Sequence, residues 1–363
     1  MVRMKLGIAL VALAALSAPA MAQDLTKDMK KGTPDLKSAG PLAFAPEGVL
    51  LVGDPIGGAI FALATEDTKG SPDSVKLDVP AIDEKVAAAL GTSPNDILIN
   101  DLSVNPASGT AYLSVSRGKG PSATPVIVTV DGTGKIAELS LKSIAFSKAT
   151  LPNPANPGEG KNNQRAEAIT DLAYAEGRVI VAGLSNEEFS SNLRSIPFPF
   201  QAADPGSAVE IFHGAHGRFE TKSPVRTFAI YGVGKQPNVL AAYTCTPLVR
   251  FPLSDLKPGT KVRGTTVAEL GNRNRPLDII IYQSGGKDYA LMANSSRGVM
   301  KIQLENMEKI PGITEKINDK AGAAYETIAS LKGVDQLDRL NKDNAVILVR
   351  DGGPLNLKTI PLP

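Results

Sequence analysis

Short apolar runs rich in Val, Ile, Leu, Ala and Tyr recur along the chain, separated by clusters of Gly, Pro, Asn, Asp and Ser. No long 3.6-residue period competes with them, so the pattern predicts strands and turns. The clearest hairpin pairs residues 169–174 with 178–183 across Ala-Glu-Gly. The same two-strand unit recurs at 99–104 with 110–115 and at 277–282 with 288–293. Weaker copies lie at 42–44 with 49–52, 225–231 with 239–243, and 337–340 with 345–349. A third apolar run follows each, at 59–64, 125–130, 208–212, 247–251, 298–304 and 354–360. Copies spaced by roughly 50–70 residues predict radially arranged four-stranded antiparallel sheets rather than a two-sheet sandwich. The expected fold class is therefore all-β, a β-propeller of six blades, with seven as the alternative.

Residues 41–363 read as one propeller domain, and residues 23–40 are expected to supply the missing outer strand of the last blade. After Pro80, Ile82, Val86, Ala89 and Leu90 fall at helical spacing and predict a short amphipathic helix. Residues 305–320 form a similar charged excursion, and both insertions read as peripheral cover. Ahead of the repeats, Arg3 and Lys5 precede an apolar run that ends in Ala20-Met21-Ala22, a small-x-small cleavage pattern. Residues 1–22 thus predict a signal peptide cut near Ala22 and a protein of the periplasm or the exterior. The run falls short of the ~20 apolar residues of a spanning helix, so no membrane span is expected.

Charge and cysteine content narrow the partners. The chain carries 39 basic and 37 acidic residues; removing Arg3 and Lys5 leaves 37 of each. A neutral protein has no general attraction to nucleic acid or anionic lipid, so neither is expected as a partner; an anionic small molecule, suggested by the arginines below, or a periplasmic protein is. The single Cys excludes an internal disulfide framework.

The segment Thr170-Asp-Leu-Ala-Tyr-Ala-Glu-Gly-Arg-Val-Ile-Val-Ala-Gly183 shows the repeating plan: an Asp-led inner strand, a Gly turn and a second apolar strand. In this it resembles the NHL and YVTN classes of secreted propeller, over nearly all of the chain after the signal. The resemblance is architectural. It implies the fold and no particular activity, since propellers host binding proteins and enzymes alike.

In such a fold, the connections into each first strand and from second to third strand share one face. That face is predicted to collect Asp54, Arg117, Arg165, Asn186, Glu187, Glu188, Arg194, Cys245, Arg273, Arg275 and Arg297. Arginines gathered there suit a carboxylate, phosphate or sulfate, because the guanidinium offers paired donors; the plain alternative is solvated surface charge. Residues 185–207 read as a long loop, with Phe189, Phe198 and Phe200 as either partner anchors or a local plug. Asp101, Asp171, Asp278 and Asp338 occupy matching strand starts. A carboxylate ring there would gather Ca2+ in the axial tunnel, while the duller reading is that each bonds the neighbouring blade's backbone. His213 and His216 follow a run read as a third strand, which would place them on the face opposite Cys245; a plain turn and a buried thiol are expected, not a shared metal site.

No Gly-x-Ser-x-Gly elbow, His-Glu-x-x-His helix, phosphate-loop lysine or Cys-x-x-Cys-His motif is present. The absence of Trp also removes the tryptophan docking motifs of larger quinoprotein propellers. Three functions remain in view: a ligand- or partner-binding propeller, a metal-dependent lactonase or phosphoesterase with Glu187 or Glu188 as base, and an accessory subunit of a periplasmic redox enzyme.

Overall fold

The computed structural model describes residues 24–158, 163–234, 236–245 and 247–363; the segment read as a signal peptide lies outside the described residues. Six antiparallel sheets stand around one axis, and their innermost strands define blades 1 to 6 in chain order. These strands are Leu42–Ala45, Ile97–Val104, Asp171–Ala175, Val225–Val233, Pro276–Ser284 and Val334–Arg339. Among the described residues the sheets hold four to six strands, and one pair is parallel: Ser207–His213 with Lys261–Arg263.

The strands are apolar on both faces because each blade is sandwiched between two others. In Val49–Asp54, Leu50 and Val52 pack toward blade 2, while Val49 and Leu51 pack toward blade 3. Successive side chains of a strand point to opposite faces, so one run of four hydrophobes fills two interfaces. Among the described residues six hydrophobic clusters of this kind lie one between each pair of neighbouring blades. The helix Ile82–Ala89 adds Ile82 and Val86 to the cluster between blades 2 and 6. Asp83 anchors it by accepting the Leu355 N–H at 3.1 Å.

Ring order differs from chain order. Around the axis the blades run 1, 3, 4, 5, 6, 2, as neighbouring inner strands and the six clusters both require. After its third strand, Ala59–Ala64, blade 1 is left incomplete. The chain then lays Asp78–Val79 on the outer edge of blade 6, builds blade 2, and returns with Ile144–Thr150 as the fourth strand of blade 1. Lys30–Gly32 adds a fifth strand outside it. The expectation that residues 23–40 close the last blade is thereby corrected: that segment edges blade 1, and Asp78–Val79 closes blade 6. Strands of two and three residues carry no readable period, which is why pattern alone missed them.

A second correction concerns residues 185–207. They are not one loop, because Ser191–Pro197 is the third strand of blade 3, pairing with Arg178–Leu184 over its whole length. The apolar run after it, Ser207–His213, is therefore the fourth strand, and its end emerges on the opposite face from the one expected.

Candidate functional site

We call the face where inner strands begin the top face. Here the axial tunnel opens into a cavity of about 160 Å³ lined by Asn100, Asp101, Thr170, Asp171, Arg226, Arg275, Asp278 and Gln336. Toward the other face it widens to about 710 Å³, with Asp338, Arg339 and Lys342 in its wall. The four repeated aspartates are the inner strands' clips. Asp101 accepts the Leu42 N–H of blade 1 at 2.6 Å, and Asp171 the Phe228 N–H of blade 4 at 2.6 Å. Asp278 accepts Leu337 N–H of blade 6 at 2.9 Å, and Asp338 the Val104 N–H of blade 2 at 2.7 Å. With its amide nitrogen turned inward, Gln336 donates to Asp101 Oδ1 and Asp278 Oδ2 at 2.9 Å each.

Burial pushes all four carboxyls up: Asp171 to about 7, Asp338 to about 6, and Asp101 and Asp278 well above the usual carboxylate range. Repulsion from other tunnel carboxylates adds to the rise at Asp101, Asp171 and Asp278. The N–H bonds that each carboxyl accepts work against this rise, since they favour the ionised form.

The arginines other than Arg194 reach the top face but take different jobs. Arg165 donates to the carbonyls of Ile56 (3.0 Å) and Ala155 (3.1 Å), and Arg297 to Asn272 O (3.0 Å) with Asp319 at 3.6 Å. Arg117 and Arg273 are exposed, the latter on a left-handed backbone at φ 56°. Arg275 lines the tunnel mouth beside Arg226, a residue that pattern reading passed over because it sits inside a strand. Arg226 pairs with Glu167 at 2.6 Å and donates to Thr244 Oγ1 at 3.0 Å. Among the described residues, no acid lies within ion-pair distance of Arg275. Burial and the Arg226 charge lower its pKa, partly offset by Glu167.

Arg194 is not on the surface: it is 0% exposed inside blade 3, with its Nη2 on Asn153 Oδ1 at 2.9 Å. Its Nε and Nη1 have no partner among the described residues, and burial lowers its pKa to about 10 against the pull of Asp204 and Glu187. Glu187 accepts from Asn153 at 2.8 Å, while Asn186 and Glu188 are exposed. Phe198 and Phe200 form a local plug, and Phe189 lies apart from them, half-buried. Phe198 is buried, edge-on to Tyr174 and to Phe200, and Lys261 caps the Phe189 ring at 4.1 Å.

The largest departure from expectation is at the boundary of blades 3 and 4. Because Ser207–His213 is a fourth strand, the turn after it lies on the top face, the same face as Cys245 in the turn between second and third strands of blade 4. One nitrogen each of His213 and His216 and the Cys245 sulfur lie within 4.8 Å of one another. Among the described residues this is the one such group of three His, Cys, Asp or Glu ligand atoms. Glu220 holds both rings by Nδ1, at 3.0 Å to His213 and 2.7 Å to His216. Burial pushes the Glu220 carboxyl up, but bonds from His213, His216 and Ser223 outweigh it and hold it at about 2. Glu220 lies four residues past His216 in a three-residue strand, Arg218–Glu220; that spacing was its only signal in the sequence.

No protein-family model matches the chain, and no curated protein matches it. Among solved structures, a chain of the mitotic checkpoint complex aligns over 99% of this chain and 99% of its own length, at 8% identity and a TM-score of 0.40. Drosophila semaphorin 1b, extracellular domains 1–2, aligns over 92% of this chain and 88% of its own at 11% identity and a TM-score of 0.39. A putative oxidoreductase (glucose dehydrogenase) from Thermus thermophilus aligns over 92% and 99% at 13% identity and a TM-score of 0.35. The six-bladed propeller rests on this chain's own strand pairing.

Proposed function

We propose that this protein is an exported binding propeller of the periplasm or exterior that holds a small carboxylate or phosphate at the top mouth of its tunnel, without catalysis of its own. The observation that carries this reading is Arg275: a guanidinium set in the mouth beside a second arginine, with no acid paired to it among the described residues. Glu167 already answers the Arg226 charge, so the guanidinium left for an anion is that of Arg275, whose fork matches planar oxyanions. Thr170 and Asn100 at the same mouth spend their donors on Val225 O, Ala39 O and Ser116 Oγ, so the anion rests on the arginine. The axial carboxyls support a structural role more than a hydrolytic one, since each already accepts a neighbouring blade's N–H.

Calorimetric titration with a panel of small carboxylates, phosphates and sulfate tests the proposal. Arg275→Ala should weaken the best ligand by roughly 10- to 100-fold, the worth of a charge-assisted hydrogen bond. Arg263→Ala, on an outer strand and paired with Glu210, should leave the titration unchanged. Equal affinity in wild type and Arg275→Ala would remove the mouth as the binding site.

A further inference from the structure

We infer that His213, His216 and Cys245 form a binding site for a late transition-metal ion of the copper–zinc group, independent of the anion at the tunnel mouth. Three observations converge. The three ligand atoms lie within 4.8 Å of one another although they come from two blades and two turns. Metal–ligand bonds of about 2.0–2.3 Å place tetrahedral neighbours roughly 3.5 Å apart, so a movement of about 1 Å closes the trio on an ion.

Glu220 is the second observation. By bonding Nδ1 of both rings it fixes their orientation and leaves each Nε2 with its lone pair, the arrangement in which a carboxylate backs a metal-binding imidazole. The rings stand 3.9 Å apart between centroids and tilted by 38°, so both are held to one side of the same carboxylate. The third is an orphan: the His213 side chain is only 4% exposed, and its Nε2 has no hydrogen-bond partner among the described residues. A buried nitrogen without a partner costs free energy that ligation to an ion removes.

Around this centre the backbone is tied down. Cys245 sits at φ 64°, a left-handed conformation unfavourable for a side chain with a Cβ, and its N–H is bonded to Asn274 O at 2.7 Å. Glu269 fixes the other turn by accepting the Gly214 N–H at 2.5 Å, and its second oxygen is buried without a partner. Two imidazoles and a thiolate select the copper–zinc end of the divalent series over calcium or magnesium, which take oxygen sets. His216 is 44% exposed, so an ion can reach the trio from solvent.

Zn2+ and Co2+ titrations of the purified full chain decide the matter. Wild type should take one equivalent of either metal, and Co2+ should develop a thiolate charge-transfer band. Cys245 is the chain's single cysteine, so that band can have one source only, and bound Zn2+ should also slow its alkylation. Cys245→Ser should abolish the band and weaken Zn2+ by at least 100-fold. His216→Ala, on an exposed turn, should fold normally by circular dichroism and lose at least 100-fold. Glu220→Gln should lose roughly 10- to 100-fold, the usual effect of removing such a backing carboxylate. Absence of the Co2+ band in wild type overturns the site, and so does Zn2+ affinity unchanged in Cys245→Ser or His216→Ala.

Discussion

Asp54→Ala is expected to cost the fold about 3–5 kcal/mol, because its carboxylate, 1% exposed, accepts four bonds from half-buried and exposed donors, and a hydrogen bond to a charged group contributes about 1.5–3 kcal/mol before water takes its place. Asp54 Oδ1 accepts the Ser38 N–H at 2.9 Å, the Ser38 hydroxyl at 2.7 Å and the Gly57 N–H at 2.7 Å, while Oδ2 accepts the Lys37 N–H at 2.8 Å. One side chain therefore ties the N-terminal arm to the turn between the second and third strands of blade 1. The arm continues on the blade's outer edge as Lys30–Gly32. Losing that anchor should lower the melting temperature by roughly 5–10 °C, scaled for a chain of this size. It should also expose the arm to proteolysis ahead of the blades. Asp54→Asn retains the Oδ1 position that carries three of the four bonds, and should recover about half of the loss. A melting point within 2 °C of wild type for Asp54→Ala would show that the arm is held by its other contacts.

What was legible in the sequence follows from where both faces of a strand are buried. Runs such as Val49–Asp54 and Arg178–Leu184 are apolar at nearly every position because two blade interfaces draw on them, and they marked all six blades. Ser191–Pro197 is equally a strand, yet its Asn192, Arg194 and Ser195 are buried polar side chains, so its composition imitates a loop. Missing one strand reversed the predicted face of everything after it within the blade, and that separated His213 and His216 from Cys245. Ring order was beyond reach for a different reason. Which blade a two-residue strand such as Asp78–Val79 completes depends on where the chain travels, and no local residue preference encodes that path. The aspartate clips showed in the sequence as a repeat, but only their hydrogen bonds tell a clip from a metal ring. Arg226 left no mark, because a charged residue second in a strand looks like an ordinary solvent-facing position until its neighbours are placed.

The tunnel carboxyls should give this protein an unusual dependence of stability on pH. Unfolded, an aspartate titrates near 4; folded, Asp171 is pushed up to about 7 and Asp338 to about 6, with Asp101 and Asp278 raised as well. Between those values the native state keeps protons that the unfolded chain has released. Stability from these groups is complete below about pH 4 and is lost as pH rises through 6 and 7, the reverse of an ordinary ion-paired carboxylate. For Asp171 and Asp338 together the loss should be on the order of 7 kcal/mol between pH 4 and pH 8, at about 1.4 kcal/mol per tenfold change in proton affinity. Groups elsewhere act in the opposite sense, since Glu220 is held low and burial lowers His213. The decisive quantity is therefore the difference from a variant. In Asp171→Asn/Asp338→Asn, each amide still offers an oxygen to Phe228 or Val104 N–H, so the clips persist but neither group titrates. Its melting temperature should start lower at pH 5, because the N–H groups of Leu172 and Arg339 lose an acceptor, yet fall less toward pH 8 than that of wild type. Parallel melting curves for the two proteins across that range would mean that the tunnel aspartates are ionised in the folded state, with their repulsion relieved by a bound cation or by water.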